Sequence, residues 1–311
     1  MARQVPFCQH ESMIARQDWN YIFNPQSVAI VGVSAKQTSF PSAGRRYLEA
    51  VRDYGFKGKV YPVNPKGGEI LGCKIYANVK DIPEAVDYVI LCVSAPATPQ
   101  LIKDCAAKGV KVIHLFTSGF SEMGTEEGRQ LKGEICSLAH QGGIRIIGPN
   151  CMGVYCPKTN FSYRAEFAKE SGTVALICQS GGNTTYLVQE AARRGVRFSK
   201  VVSYGNASDI DETDLLEYLA GDQDTQIILA YIEGVKDGQQ FSQVLQETAE
   251  IKPVIMLKGG VTESGAKVAA SHTSALAGSD KVWDGLLHQV GAIRVYSLEE
   301  LIDMAVSFSY L

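Results

Sequence analysis

Tyr88-Val89-Ile90-Leu91-Cys92-Val93 is apolar at every position, and a strand without polar alternation needs a sheet that is covered on both faces. Similar short runs recur at Val28–Val33, Val60–Val63, Lys111–Phe116 and Arg145–Ile147. Longer amphipathic stretches at Ser42–Tyr54, Thr98–Lys108 and Glu126–His140 lie among them. That alternation predicts a parallel, doubly wound α/β sheet. The pattern loosens through Cys156-Pro157-Lys158-Thr159-Asn160, a linker by composition. A second series follows, with strands at Val174–Cys178, Lys200–Tyr204, Gln226–Tyr231 and Pro253–Leu257. Helical stretches near Thr184–Arg194, Glu212–Ala220 and Phe241–Ile251 separate these strands, and a last helix covers about Leu298–Phe308. The expectation is two α/β domains, residues 1–157 (with an N-terminal arm, 1–24) and 158–311.

Charge narrows the function. Thirty Lys and Arg against 33 Asp and Glu leave a net charge of −3, without the basic surplus of a chain that wraps nucleic acid. No apolar run approaches the roughly 20 residues that cross a bilayer. The stretch Met1–Trp19 has no apolar h-region, so it does not read as a signal peptide. A cytoplasmic protein with no nucleic-acid or membrane partner is expected. The eight cysteines include no C-x-x-C pair, and no His stands near Cys151 and Cys156 to complete a metal-ligand set. They read as reduced structural thiols.

In the first domain the strand end Val31-Gly32-Val33-Ser34-Ala35-Lys36 lacks the G-x-G-x-x-G of dinucleotide folds. The second strand ends Val63-Asn64-Pro65-Lys66, with a cation where an NAD enzyme carries an acid. NAD is disfavoured. Lys36 and Lys66 are either solvated loop lysines or, at the edges of adjacent strands, phosphate contacts. Ser94-Ala95-Pro96 and Thr117-Ser118-Gly119-Phe120 end the next two strands with small residues that let an extended ligand approach backbone amides.

In the second domain, Cys178-Gln179-Ser180-Gly181-Gly182 lacks the G-x-S-x-G of a serine hydrolase. It reads as a backbone anion site at a helix N-terminus, or as a simple capped turn. Tyr231-Ile232-Glu233-Gly234 brings a carboxylate to the same sheet edge. Among the five histidines only His272, in Ala270-Ser271-His272-Thr273-Ser274, is ringed by small residues that leave room on a ring nitrogen. A nucleophilic His needs one nitrogen free and the other held by an acceptor, a part Glu233 could take. His114 sits in an apolar strand and reads as a core histidine; His140 and His288 read as helix-surface residues, and His10 belongs to the arm.

Seven segments in order carry a resemblance: Pro25-Gln26-Ser27-Val28-Ala29-Ile30-Val31-Gly32, Val60-Tyr61-Pro62-Val63-Asn64-Pro65-Lys66, Ser118-Gly119-Phe120-Ser121-Glu122, Ile147-Gly148-Pro149-Asn150-Cys151, Gln179-Ser180-Gly181, Tyr231-Ile232-Glu233-Gly234 and Ser271-His272-Thr273. From about residue 22 onward the chain resembles the α-subunit half of the nucleoside-diphosphate-forming acyl-CoA synthetases, a superfamily that includes the ADP-forming acetyl-CoA synthetases and the succinyl-CoA synthetase α-subunit. The resemblance implies a Rossmann-like CoA-binding domain followed by a flavodoxin-like ligase domain. It implies coenzyme A along Ser34, Lys36, Pro65, Lys66, Val93, Ser94, Ser118 and Phe120, with Asn150 near the thioester. It also implies His272 as the phosphorylated residue, Glu233 as its orienting carboxylate, and Ser180, Gly181 and Gly182 as phosphate contacts.

The implied reaction is acyl-CoA + phosphate + ADP or GDP ⇌ acid + CoA + ATP or GTP, by way of an acyl phosphate and phospho-His272. The family binds its Mg-nucleotide on an ATP-grasp domain that this sequence does not contain, so an ATP-grasp β-subunit or domain and an α2β2-type oligomer are expected. Ser274 stands where the family commonly has glycine, and in a left-handed conformation a Cβ there costs about 1 kcal/mol. The alternative is a non-catalytic module that binds CoA or acyl-CoA, in which this loop has lapsed.

Overall fold

The computed structural model describes residues 19–36, 40–260 and 280–310. A single helical turn, α1 (Asn20–Phe23), leads into β1 (Ser27–Val31), whose five residues are all buried. Helix α2 (Ala43–Tyr54) starts on Ser42, whose Oγ accepts the Arg45 N–H at 3.3 Å. It ends at Gly55 in the left-handed conformation that glycine adopts without strain. Strand β2 (Lys59–Val63) follows, then a small hairpin of β3 (Gly68–Ile70) and β4 (Cys73–Ile75), and then β5 (Tyr88–Leu91). Next come α3 (Thr98–Lys108), β6 (Val112–Leu115), α4 (Glu126–Gln141) and β7 (Arg145–Ile147). These strands form a parallel sheet in the order β2-β1-β5-β6-β7. Pro62 sits in β2, an edge strand, where its missing N–H is tolerated.

The second sheet is built from β8 (Gly153–Tyr155), β9 (Val174–Cys178), β10 (Phe198–Ser203), β11 (Ile227–Ile232), β12 (Val254–Lys258) and β13 (Ile293–Val295), in the order β13-β12-β11-β9-β10-β8. Helices α5 (Gly181–Arg193), α6 (Glu212–Gly221), α7 (Gly238–Ile251), α8 (Asp280–Val290) and α9 (Leu298–Ser309) accompany it. Taken by chain order, the parallel strands of both sheets run 2-1-3-4-5. The switch points, where ligands bind, therefore fall at β1/β5 and at β9/β11.

Two readings of the sequence are corrected here. The second sheet is not wholly parallel, because β8 pairs antiparallel with β10. The stretch 156–160 is not a loose linker: Cys156 bridges to Phe161, and Pro157–Thr159 is a 3₁₀ turn against the sheet edge. The apolar strands themselves stand where their runs lie.

The two halves share one core. Tyr88 of the first sheet meets Phe161 edge-on, with ring centroids 5.1 Å apart, and Tyr54 donates its hydroxyl to the Ala168 carbonyl at 2.5 Å. The loop after β10 runs alongside the end of β7. Ile210, Ser208 and Asn206 donate backbone N–H groups to the carbonyls of Ile146, Gly148 and Pro149 at 3.1, 2.9 and 3.0 Å. Arg145 of β7 pairs with both Asp209 and Asp214 at 3.0 Å. Among the described residues no helix is long and apolar enough to cross a membrane.

Candidate functional site

At the C-terminal edge of the first sheet lies a cavity of about 410 Å³. Its walls come from the strand ends Cys92–Ser94 and Phe116–Ser118, the start of α2 at Ala43, and the segment Asn150–Met152. Helix α2 reaches this close because Gly44 has no side chain. A Cβ there would stand 2.7 Å from the backbone of Gly32, itself in a left-handed turn at φ 94°. Thr117 fixes the floor, since its hydroxyl donates to the Val93 carbonyl at 2.7 Å and its carbonyl accepts the Asn150 N–H at 2.9 Å. Glu122 braces the rim. One carboxylate oxygen accepts the N–H groups of Gly119 and Phe120, and the other accepts the Asn206 amide at 2.7 Å.

Of the residues expected to contact coenzyme A, Val93, Ser94, Ser118 and Asn150 line this cavity. Ser34, Lys36, Pro65 and Lys66 stand outside it on the same sheet edge, at the ends of β1 and β2. Both lysines are exposed, and the Lys66 N–H bonds the Asn64 side chain at 3.0 Å in a local turn. Phe120 does not line the cavity: its side chain is fully buried in the first sheet's core, and Glu122 accepts its N–H. Composition gave no reason to single out Cys92, Phe116 and Met152, because apolar side chains announce no chemistry. Burial pushes the Cys92 thiol up to about 12, leaving it neutral.

The second cluster surrounds the N-terminus of α5. Ser180 caps the helix, its Oγ accepting the Asn183 N–H at 3.3 Å. In the first turn Gly181 and Gly182 have no preceding helical carbonyl to bond, and Gly182 is exposed. Their N–H groups and the helix dipole therefore suit an anion. Gln179, buried at the end of β9, carries its amide to β11. Its oxygen accepts the N–H groups of Glu233 and Gly234, and its Nε2 donates to the Gly234 carbonyl at 3.1 Å. This clamp sets Glu233 beside α5, with the Tyr231 hydroxyl bonded to both Glu233 and Asn183. Gly259 closes over the pair: a Cβ there would meet the Tyr231 oxygen at 2.6 Å.

Sequence reasoning did not single out Lys258, the one charged residue closing an apolar strand. It is buried, and its ammonium donates to the carbonyls of Glu233 (2.7 Å) and Gly259. Burial lowers its pKa, and Trp283 covers it at 5.5 Å. His272 and Ser274 lie outside the described residues, in the connection between Gly260 and Asp280.

Met152 joins the two clusters. It lines the cavity, and its Cγ would lie 2.8 Å from a Cβ on Gly181. A ligand in the cavity and an anion at α5 would share that wall. His114 occupies the core as the sequence suggests. It is buried, its Nε2 lies 3.1 Å from the Cys151 carbonyl, and burial lowers its pKa to about 4.

Family models match both halves, a CoA binding domain over residues 26–157 and a succinyl-CoA ligase like flavodoxin domain over 171–308. The α subunit of acetate–CoA ligase [ADP-forming] I from Pyrococcus furiosus is 43% identical over 296 residues, covering 93% of this chain and 63% of its own length. The 4-hydroxybutyrate–CoA ligase [ADP-forming] of Nitrosopumilus maritimus is 37% identical and spans 93% of this chain, which covers 41% of that protein. Among solved structures, an acetyl-coenzyme A synthetase 1 of Ca. Korarchaeum cryptofilum in complex with phosphate and ADP superposes with a TM-score of 0.85 at 37% identity, covering 94% of this chain and 62% of that one. The chain thus spans less than two thirds of the length of these relatives.

Proposed function

The chain belongs to the nucleoside-diphosphate-forming acyl-CoA synthetases, on their CoA-binding, α-like side, and on that premise we propose that it is the CoA-binding and phosphohistidine-bearing part of such an enzyme. The observation that carries this reading is the shared wall at Met152, which sets the cavity at the first sheet's edge directly against the helix N-terminus of the second. Acyl transfer to phosphate needs that adjacency, because the thioester carbonyl and the attacking oxygen must meet within van der Waals distance.

Coenzyme A lies across the ends of β1, β2, β5 and β6, with its phosphates toward Lys36 and Lys66 and its thiol end in the cavity beside Asn150. Phosphate held by Ser180, Gly181 and Gly182 attacks the acyl carbonyl, and the carbon–sulfur bond breaks to give acyl phosphate and CoA thiolate. One nitrogen of His272 then takes the phosphoryl group and releases the acid, while Glu233 holds the proton on the other nitrogen. The phosphoryl group passes from His272 to ADP bound by an ATP-grasp partner, which is also where Mg²⁺ belongs. ADP is the favoured acceptor because the relatives' names specify it. An α2β2-type assembly in the cytoplasm completes the reading.

The test is intact-mass and peptide analysis after incubation with ATP and an ATP-grasp partner, and separately with acyl-CoAs and phosphate. The expected result is an acid-labile phosphoryl group on His272 that is lost in His272→Asn. Coenzyme A binding with no label in the partner's presence would instead indicate a non-catalytic module.

A further inference from the structure

We propose that Lys258 is a positioning residue for the phosphohistidine step, tying together the two peptides that flank the Glu233 side chain. The inference rests on the phosphohistidine reading and adds a residue to it. Among the described residues two lysines are buried, and both belong to strands of the second sheet. Lys200 has an ordinary structural solution, since its ammonium pairs with Asp222 at 2.8 Å and with Asp224 at 3.2 Å. Lys258 has no carboxylate at ion-pair distance among the described residues. Its ammonium donates instead to two main-chain carbonyls, those of Glu233 (2.7 Å) and Gly259, and lies 5.5 Å from the centre of the Trp283 ring. A buried charge without a counter-charge costs stability, so packing alone would be served better by an apolar side chain.

The two carbonyls are the ones that fix Glu233. Strands β11 and β12 pair in parallel through Tyr231 with Leu257 and Ile232 with Lys258, so Glu233 and Gly259 leave the sheet side by side. The Gly259 N–H donates to the Ile232 carbonyl at 2.8 Å. A Cβ on Gly259 would stand 3.2 Å from Glu233 Cγ, so this peptide packs directly on the carboxylate's stem. Lys258 joins the peptide that carries the side chain to the peptide that covers it. Gln179 holds the same residue from the other side, by its N–H. With N–H and carbonyl both taken, the main chain at Glu233 cannot rotate without breaking one of these bonds.

Charge reinforces the tether. Burial lowers the Lys258 pKa, the Glu233 and Asp280 carboxylates draw it back up, and Arg294 opposes them. Asp280 is already paired with Arg294, which also holds Asp284. Glu233 is left as the carboxylate on which the buried ammonium acts.

A residue that works through Glu233 has nothing to position once that side chain is gone, and this separates it from a merely structural lysine. The experiment measures the rate of His272 phosphorylation by ATP and an ATP-grasp partner in Lys258→Met, Lys258→Arg, Glu233→Ala and the Lys258→Met/Glu233→Ala double variant, with a coenzyme A titration of each. Lys258→Met is expected to slow labelling about tenfold when Glu233 is present and less than about twofold when it is absent. Lys258→Arg, which keeps a cation and its donors, is expected to recover most of the rate, and coenzyme A affinity to stay at the wild-type value throughout. An unchanged rate in Lys258→Met, equal slowing in both backgrounds, or a parallel fall in coenzyme A affinity would overturn the positioning role and leave the phosphohistidine reading standing. No label on the wild type would overturn both.

Discussion

The side-chain oxygen of Gln179 accepts the backbone N–H of Glu233, tying the end of β9 to the end of β11 across the mouth of the second sheet. The same amide also holds both polar groups of the Gly234 peptide. On the proposed reading Glu233 presents one fixed face to His272, and this clamp is what would hold it there.

Removing that clamp separates positioning from binding. Gln179→Ala leaves three buried backbone groups unmet, at a cost of about 1–3 kcal/mol each where water cannot replace the amide. A urea melt is expected to show the loss. Phosphorylation of His272 should slow in the variant while coenzyme A affinity stays at the wild-type value. Unchanged labelling would remove Gln179 from the site.

Lys66 is tested by a ligand pair. Lys66→Ala is expected to weaken coenzyme A about two- to fivefold, the range of an exposed ion pair, and to leave dephospho-CoA nearly unchanged. Equal losses for the two ligands would take Lys66 off the phosphate.

Gly44 tests the approach of α2. With backbone atoms 2.7 Å from its would-be Cβ, Gly44→Ala must push the helix from β1, costing about 1–3 kcal/mol of stability. Ala43 lines the cavity, so coenzyme A affinity should fall too. A thermal melt and a CoA titration check both.

His114 gives the acid limb of the stability curve. Burial lowers it to about 4 from an unfolded value near 6.5, so the unfolded chain takes up a proton that the folded one refuses. Its contribution is complete above pH 6.5 and is lost as pH falls toward 4. His114→Gln keeps a donor toward the Cys151 carbonyl and cannot titrate. Between pH 7.5 and 4 the wild type should lose about 3 kcal/mol more than this variant in urea melts.

Glu212 acts at the other limb. Burial, then the Asp211 carboxylate, raises it to about 8, so the folded chain holds a proton that the unfolded chain releases near 4.5. Stability is therefore complete below 4.5 and falls as pH rises through 8. Glu212→Gln removes that dependence. Its Tm relative to wild type should rise by about 5 °C between pH 5 and pH 9. Parallel curves would show that Glu212 is ionised throughout.

The sheets were legible because burial on both faces demands unbroken apolar runs, and each run marked a strand. Their ends were not. Val28–Val33 pairs only from Ser27 to Val31, because Gly32 turns the chain away at φ 94°. Strands of three residues, such as β8 and β13, are too short to show a period, and β8 is held by an antiparallel partner far along the sequence. At the site, Glu233 and Ser180 could be found because charge and capping residues at strand ends imply chemistry. Gly44 could not, because it meets Gly32 across twelve positions and no motif has that spacing. Met152 could not either, because an apolar side chain between two strands announces no chemistry until the cavity places it beside Gly181.

The backbone bonds from Ile210, Ser208 and Asn206 to Ile146, Gly148 and Pro149 lay a loop of the second half along the free edge of the first sheet. Together with the Arg145 carboxylate pairs, they tie the two halves along one edge. On the proposed reading, the interval between the cavity and α5 is set by these bonds between the halves and not by the ligand that bridges it.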